Sequence, residues 1–358
     1  MKKLLILSTA LGALSLPAVA QEVNVMGWGG AYSISQVEAY HKPFTAKTGV
    51  KVVSIDADNP ATPIKAQVDA GNVTFDVASV EFADAVRFCD EGLLEIIDPA
   101  ILTPAPDGTA AMDDFLPGTV TECFVATDVF ATVIAFDATK YAGMESPSTM
   151  ADFFDLTKFP GKRGARKNAK VLLEMALVGD GVPTSEVYAT LRTEEGVERA
   201  FAKLDAIKSE IIWWEAGAQP PQLLADGEVA MTVAYNGRIF NANVTEGKEF
   251  EIIWDGQVYD VEGWVVPKGA PNLQNAMDFI SFSTGTEPLA KAAEWISYGP
   301  PRASSAPLVG MYQDGKTEMG PNLPTSPANL TNALFSDLEF WADRDTDLNE
   351  RFNAWLLK

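Results

Sequence analysis

The stretch Val23-Asn24-Val25-Met26-Gly27-Trp28-Gly29-Gly30-Ala31-Tyr32-Ser33 decides how the rest of the chain is read. An alternating apolar run ends in a glycine-rich turn that carries two aromatic residues, and a helical pattern follows. Strand, tight turn and helix in this order are the opening of an α/β unit. A phosphate cradle is one reading of the turn. A dinucleotide fingerprint needs Gly-x-Gly-x-x-Gly; Gly27 and Gly29 fit, but Tyr32 stands at the third glycine and no P-loop lysine follows. The remaining readings are that Trp28 belongs to the core, or that Trp28 and Tyr32 line the lip of a cleft.

Outward from this turn the alternation continues. Ser33 to Thr48 spaces Val37, Tyr40 and Phe44 along one helical face and stops at Gly49. Val50–Ile55 reads as a strand, Pro63–Ala70 as a helix stopping at Gly71, Phe75–Val80 as a strand and Ala83–Glu91 as a helix stopping at Gly92. Such a βαβαβα pattern implies an α/β fold with a mainly parallel sheet covered on both faces. The apolar run Phe124–Phe136 has no helix and reads as a segment crossing from one domain to another. A second α/β region starts near Ala151, with helices at Lys170–Val178, Glu194–Ile207 and Pro220–Asp226. Strands are expected at Val229–Ala234 and Trp264–Pro267, helices at Leu273–Ser283 and in the tail, where Trp341, Phe352 and Trp355 share a face. His41, between Tyr40 and Lys42, reads as a solvated helix residue.

Residues 1–20 read as a secretory signal peptide: Lys2 and Lys3, a short apolar core from Leu4 to Leu16, and Ala18-Val19-Ala20 before the cut. No cysteine stands at the cut to carry a lipid, and no later run is long enough to span a bilayer. The expected compartment is the periplasm. The chain of 358 residues holds 49 acidic against 27 basic side chains, a net charge of −22, which argues against nucleic acid and anionic membranes as partners. Acidity either maintains solubility or attracts cationic solutes. Two cysteines in an oxidising compartment, Cys89 and Cys123, would close a loop of about 33 residues worth roughly 3 kcal/mol. Two Cys and one His are too few for a zinc site, and no other cofactor is implied.

Several scattered motifs resemble, in their order and spacing, the spermidine/putrescine-type periplasmic solute-binding proteins of ABC importers. They are Thr48-Gly49-Val50-Lys51-Val52; Phe75-Asp76-Val77-Ala78 with Glu91-Gly92-Leu93-Leu94-Glu95; Asp226-Gly227-Glu228-Val229 with Tyr235-Asn236-Gly237; Val266-Pro267-Lys268-Gly269-Ala270; and Tyr298-Gly299-Pro300. The resemblance implies a type II periplasmic-binding-protein fold. Two α/β lobes would be joined by crossing segments, one built from 21–136 and 262–302, the other from 137–261 and 303–358. The ligand cleft would lie between them, at the carboxyl ends of the strands. It also implies a monomer that delivers its solute to permease subunits in the inner membrane.

The expected lining is aromatic and acidic: Trp28, Tyr32, Glu81, Phe82, Trp213, Trp214, Tyr235, Asp260, Glu262 and Trp264. Aromatic faces attract an organic cation and carboxylates give it charge-assisted hydrogen bonds. Only one of Trp213 and Trp214 should face the cleft, because neighbours on a strand point to opposite sides. Asp260 and Glu262 share one strand face. In the resembled family that spacing carries a Trp and an Asp contacting the amine; here Glu262 matches the Asp and Asp260 replaces the Trp. Tyr235 stands where the family commonly has Trp, and a further anchoring glutamate of the family falls near Val171. Arg238 stands where polyamine binders have a small polar residue. A guanidinium in the cleft suits a carboxylate and repels a dication. The reading is therefore a non-enzymatic solute-binding protein for a zwitterion, an ω-amino acid such as γ-aminobutyrate, a betaine or a sulfonium-carboxylate. Putrescine or spermidine is the alternative. Other classes are a periplasmic sensor partner of the same fold and a hydrolase using Asp260 and Glu262 as acid and base.

Overall fold

The computed structural model describes residues 22–358; the expected signal peptide lies outside them. Nine strands form one mixed sheet. They are β1 (Glu22–Gly27), β2 (Lys51–Asp56), β3 (Val77–Glu81), β4 (Val125–Asp137), β5 (Arg163–Arg166), β6 (Ile211–Trp214), β7 (Met231–Tyr235), β8 (Phe250–Val265) and β9 (Leu334–Phe335). The order is β2-β1-β3-β8-β4-β7-β5-β6, with β9 beside β8. Both flanks are parallel: β1 pairs with β2 and β3, and β5 with β6 and β7. The centre is antiparallel, where β3 meets β8, β8 meets β4 and β4 meets β7.

The sheet is thus more mixed than the sequence pattern implied, because the chain passes from one half to the other along β4 and returns along β8. These two long strands run through both halves, and their ladder is interrupted between Ala126 and Asp128 and again between Thr132 and Ile134. Every residue of β4 except Asp137 is buried, which is why the segment reads as an unbroken apolar run. The division expected after Val261 falls inside β8.

Helices follow where the sequence placed them. The first runs from Gly30–Gln36 through a π-helical turn, Val37–His41, into Lys42–Thr48, and ends at Gly49, whose φ of 78° only glycine adopts freely. Thr62–Asp69, Phe82–Asp90, Leu172–Gly179, Glu194–Asp205, Gln219–Ala225 and Leu273–Ser283 match the remaining periodic segments to within two residues at most ends. In the tail, Leu338–Leu356 buries Trp341, Phe352 and Trp355. None of the described helices is long and apolar enough to cross a membrane.

His41 is a correction. It is buried against Phe279, with ring centroids 5.6 Å apart, and burial pushes its pKa down to about 4. The helical spacing that put it on the solvent side ignores the wider π turn, which rotates this face inward. The Trp264–Pro267 strand is the last part of the much longer β8. Cys89 and Cys123 are joined as a disulfide.

One core packs Phe136, Phe153, Leu173, Trp214 and Trp341 around the β4–β7 side. Two others fill the β1–β3 side, one around Val25, Tyr40, Phe44, Trp264 and Phe279, the other around Phe75, Val80, Phe88 and Phe124. Separate cores on either side of the crossing strands leave the middle of the sheet as the place where a cleft forms.

Candidate functional site

The glycine-rich turn after β1 is shaped by a residue more than two hundred positions away. Gly29 and Gly30 have φ of 70° and 55°, and a Cβ on Gly30 would lie 2.6 Å from a guanidinium nitrogen of Arg238. Arg238, on the helix Asn236–Glu246 after β7, donates from Nη1 to the Gly29 carbonyl at 2.9 Å and from Nη2 to the Trp28 carbonyl at 3.3 Å. The turn therefore receives a cation by its carbonyls rather than a phosphate by its amides. The Gly29 amide is itself taken by Ser33 Oγ at 3.0 Å, so the turn does not offer it to a phosphate.

Between the halves lies a cavity of about 160 Å³. It sits at the carboxyl ends of β1, β3, β5 and β7, as open α/β sheets dictate. Its aromatic wall is made by Trp28, Tyr32, Phe130, Tyr235 and Tyr298, and its charged groups are Arg238, Arg166, Glu81 and Glu262, with Asp58 and Glu215 at the rim. Phe130 packs on Tyr235 at 5.7 Å and on Tyr298 at 6.0 Å, between centroids. The Trp28 Nε1 and Arg238 Nε donors are buried without a hydrogen-bond partner among the described residues. Unpaired buried donors are costly unless a ligand or water completes them.

Two carboxyl groups face each other beside this wall. Asp128 on β4 is the ladder partner of Glu262 on β8. Burial raises the Asp128 pKa to about 7, even though Tyr32 donates to its Oδ2 at 3.1 Å. Tyr32 in turn shares a 2.7 Å hydrogen bond with Ser79. Burial, reinforced by Asp128 and Glu81, pushes the Glu262 pKa well above the carboxylate range. Among the described residues Glu262 has no ion-pair partner at 4 Å or less, whereas Glu81 and Asp260 do.

Those two acids converge on Lys170. Its Nζ lies 2.6 Å from Glu81 Oε2 and 2.7 Å from Asp260 Oδ2, and Arg166 approaches Glu81 at 3.5 Å. Burial alone would raise the Glu81 pKa, but the two cations hold it below its ordinary value. Burial opposes the charge on Lys170 as well; Asp260 and Glu81 overcome it and keep the ammonium charged. The second Asp260 oxygen accepts from the Val261 amide at 2.7 Å, so Asp260 is fully engaged.

Trp28, Tyr32, Glu81, Tyr235, Arg238 and Glu262 thus line one cavity. The other expected residues lie elsewhere. Phe82 packs edge-on against Phe124 in a core, because it begins the helix after β3 with its ring turned inward. Trp264 is fully buried and donates to Ser283 at 2.9 Å; it lies two residues past Glu262 on β8, deep in one half. Trp213 packs on Phe352 and Trp355 of the C-terminal helix at 5.5 and 6.1 Å. Trp214 is buried 5.9 Å from Tyr235 and touches only a small void behind it. Neither tryptophan reaches the main cavity: Trp213 faces the C-terminal helix and Trp214 the void behind Tyr235, and only the loop after β6, from Glu215 to Ala218, lines it. Asp260, expected to balance a bound cation, is neutralised by Lys170. Arg166, Lys170, Phe130, Asp128 and Tyr298 are the residues sequence reasoning missed. Only Tyr298 had a signal, in its Tyr-Gly-Pro loop.

Residues 39–325 match the family of bacterial extracellular solute-binding proteins. The chain belongs to this family. The solute-binding protein is 46% identical over 344 residues to a gamma-aminobutyric acid-binding protein of Pseudomonas aeruginosa, covering 96% of this chain and 93% of that one. Among solved structures it resembles the periplasmic binding protein MotA of A. tumefaciens B6 in complex with glucopine, with a TM-score of 0.84, 29% identity, and coverage of 94% and 100%. It also resembles a GABA receptor at a TM-score of 0.79, 31% identity, and coverage of 94% and 98%. The solute-binding protein has the two-lobed fold of these relatives, and is the solute-capturing component of an ABC importer rather than an enzyme.

Proposed function

We propose that the cavity captures a short zwitterion of the ω-amino-acid type, with γ-aminobutyrate as the leading candidate. The observation that carries this is the pairing, in one aromatic cavity, of an arginine with a buried donor and a glutamate, the donor without a hydrogen-bond partner and the glutamate without an ion-pair partner among the described residues. Arg238 would take the carboxylate and Glu262 the ammonium, with Trp28, Tyr235 and Phe130 against the methylene chain. The Pseudomonas aeruginosa relative supports the same ligand class. A dication is disfavoured because Arg238 and Arg166 both border the space.

The lobes we assign are 21–136 with 262–302, and 137–261 with 303–358, hinged on β4 and β8. The shared core of Phe153, Trp214 and Trp341 supports the second assignment. After removal of residues 1–20 the protein would act as a periplasmic monomer that presents its closed form to inner-membrane permease subunits.

The test is a calorimetric and thermal-shift panel of γ-aminobutyrate, glycine betaine, dimethylsulfoniopropionate, putrescine and spermidine. Ligand at a hundred times Kd stabilises the protein by about 2.7 kcal/mol. Arg238→Ala should weaken γ-aminobutyrate binding by about 30-fold or more, and leave any putrescine binding equal or stronger. Wild-type affinity for the zwitterion in this variant would refute the reading.

A further inference from the structure

Directly behind the main cavity is a smaller space that shares Glu81, Phe130, Arg166 and Tyr235 with it. Its polar occupant is the protein's own Lys170, held by Glu81 from the end of β3 and Asp260 from the middle of β8. The lysine side chain is 10% exposed, and the carboxylates 13% and 4%. Past it the space ends at Val171, Leu172 and Trp214, where the indole Nε1 has no partner among the described residues. Two acids around an ammonium make the recognition chemistry of a primary amine.

The backbone beside the lysine is unusual. Val171 has φ 74°, and among the described residues it is the one non-glycine in the left-handed region. A β-branched residue rarely enters it. Such strain persists only where surrounding contacts hold it; here the Val171 carbonyl accepts from the Met175 amide at 2.9 Å, its side chain packs on a core, and the two ion pairs of Lys170 stand beside it. Glu81 is also the ladder partner of Glu262 across β3 and β8. The acid that holds the lysine and the acid free for a ligand are therefore neighbours, within reach of one short carbon chain.

The geometry points to Lys170 as a specificity-determining residue. It is a tethered ammonium that fills an amine subsite and closes the deep end of the cavity. The protein thereby satisfies Glu81 and Asp260 internally and leaves Glu262, inward of the rim acids Asp58 and Glu215, as the cavity acid with no ion-pair partner among the described residues, so that a molecule with a single ammonium is accepted and a diamine is not. This rests on the zwitterion reading above and extends it to the basis of discrimination.

Lys170→Ala tests it in the full-length mature protein at pH 8. Ala removes both the charge and the length of the lysine, so the subsite is vacated. The expected result is a gain in putrescine affinity of about 100-fold over wild type, from charge-assisted hydrogen bonds to the vacated acids. Putrescine should also restore the melting temperature that the variant loses. A merely structural lysine would lower the melting temperature without creating diamine binding. A folded variant whose putrescine affinity stays within about threefold of wild type, well below one charged hydrogen bond, overturns the proposal. Should two unpaired acids prevent folding, Lys170→Ala with Asp260→Asn removes one of them. That protein should gain about tenfold through Glu81 alone, and no gain again overturns the proposal. The wild-type titration with γ-aminobutyrate is read separately: its failure removes the ligand assignment, whatever the variant does with putrescine.

Discussion

Glu262 is an acid whose ordinary charge the fold suppresses. Burial and the facing Asp128 keep it protonated well above the usual carboxylate range, and an ammonium arriving beside it reverses that balance. Ligand capture should therefore release a proton. Binding heats measured in phosphate and in Tris should differ in proportion to the protons released, and Glu262→Gln should remove the difference. Affinity for the ligand should climb as pH rises through about 7, where Asp128 ionises and adds its charge beside the ammonium site. His41 shows the opposite sign. Its folded pKa of about 4 lies below the model-peptide value of 6.5, so the unfolded chain binds the proton first. Its contribution to stability is complete above pH 6.5 and is lost as pH falls toward 4, by up to about 3 kcal/mol. Urea titrations at pH 7 and pH 4.5 should show wild type losing more stability over this interval than His41→Phe.

The elements differ in how plainly they announce themselves. Helices with a glycine stop, such as the one ending at Gly49, are visible from periodicity and a single αL residue. Strand β5 is not. Arg163-Gly-Ala-Arg166 has no apolar run, and it is a strand because β6 and β7 pair with both of its edges. Its glycine is required by contact: a Cβ on Gly164 would fall 2.2 Å from the Thr232 hydroxyl. Strand β8 was legible only at its end, since Asp255, Gly256, Gln257, Asp260 and Glu262 interrupt the hydrophobic signal along a strand that crosses the whole molecule. The Cys89–Cys123 disulfide ties the helix Phe82–Asp90 to the entry of β4. Replacing both with serine should lower the unfolding free energy by about 3 kcal/mol, read as a shift of the urea midpoint under non-reducing conditions.

At the scale of the molecule, charged side chains cross the cleft between the two halves. Arg238 reaches the turn after β1, and Lys170 reaches Glu81 at the end of β3. A ligand that joins Arg238 to Glu262 should favour the closed arrangement by its differential affinity for it. Small-angle scattering should show the radius of gyration falling when γ-aminobutyrate is added. Arg238→Ala should show no such contraction at the same ligand concentration.

The alternation of strands and helices, the apolar crossing run and the aromatic and acidic character of the cleft followed from the sequence alone. Each is a local pattern, carried by neighbours in the chain. The turn residues Trp28 and Tyr32, with Tyr235, Arg238 and Glu262, could be nominated because they end strands or begin helices at the cleft edge. Which acids stay free could not be read in this way. Lys170 is 89 positions from Glu81 and 90 from Asp260, and Arg238 is 209 from Gly29. The sequence lists the charges, but only the tertiary structure decides which of them neutralise one another, because ion pairing depends on separation in space and on burial.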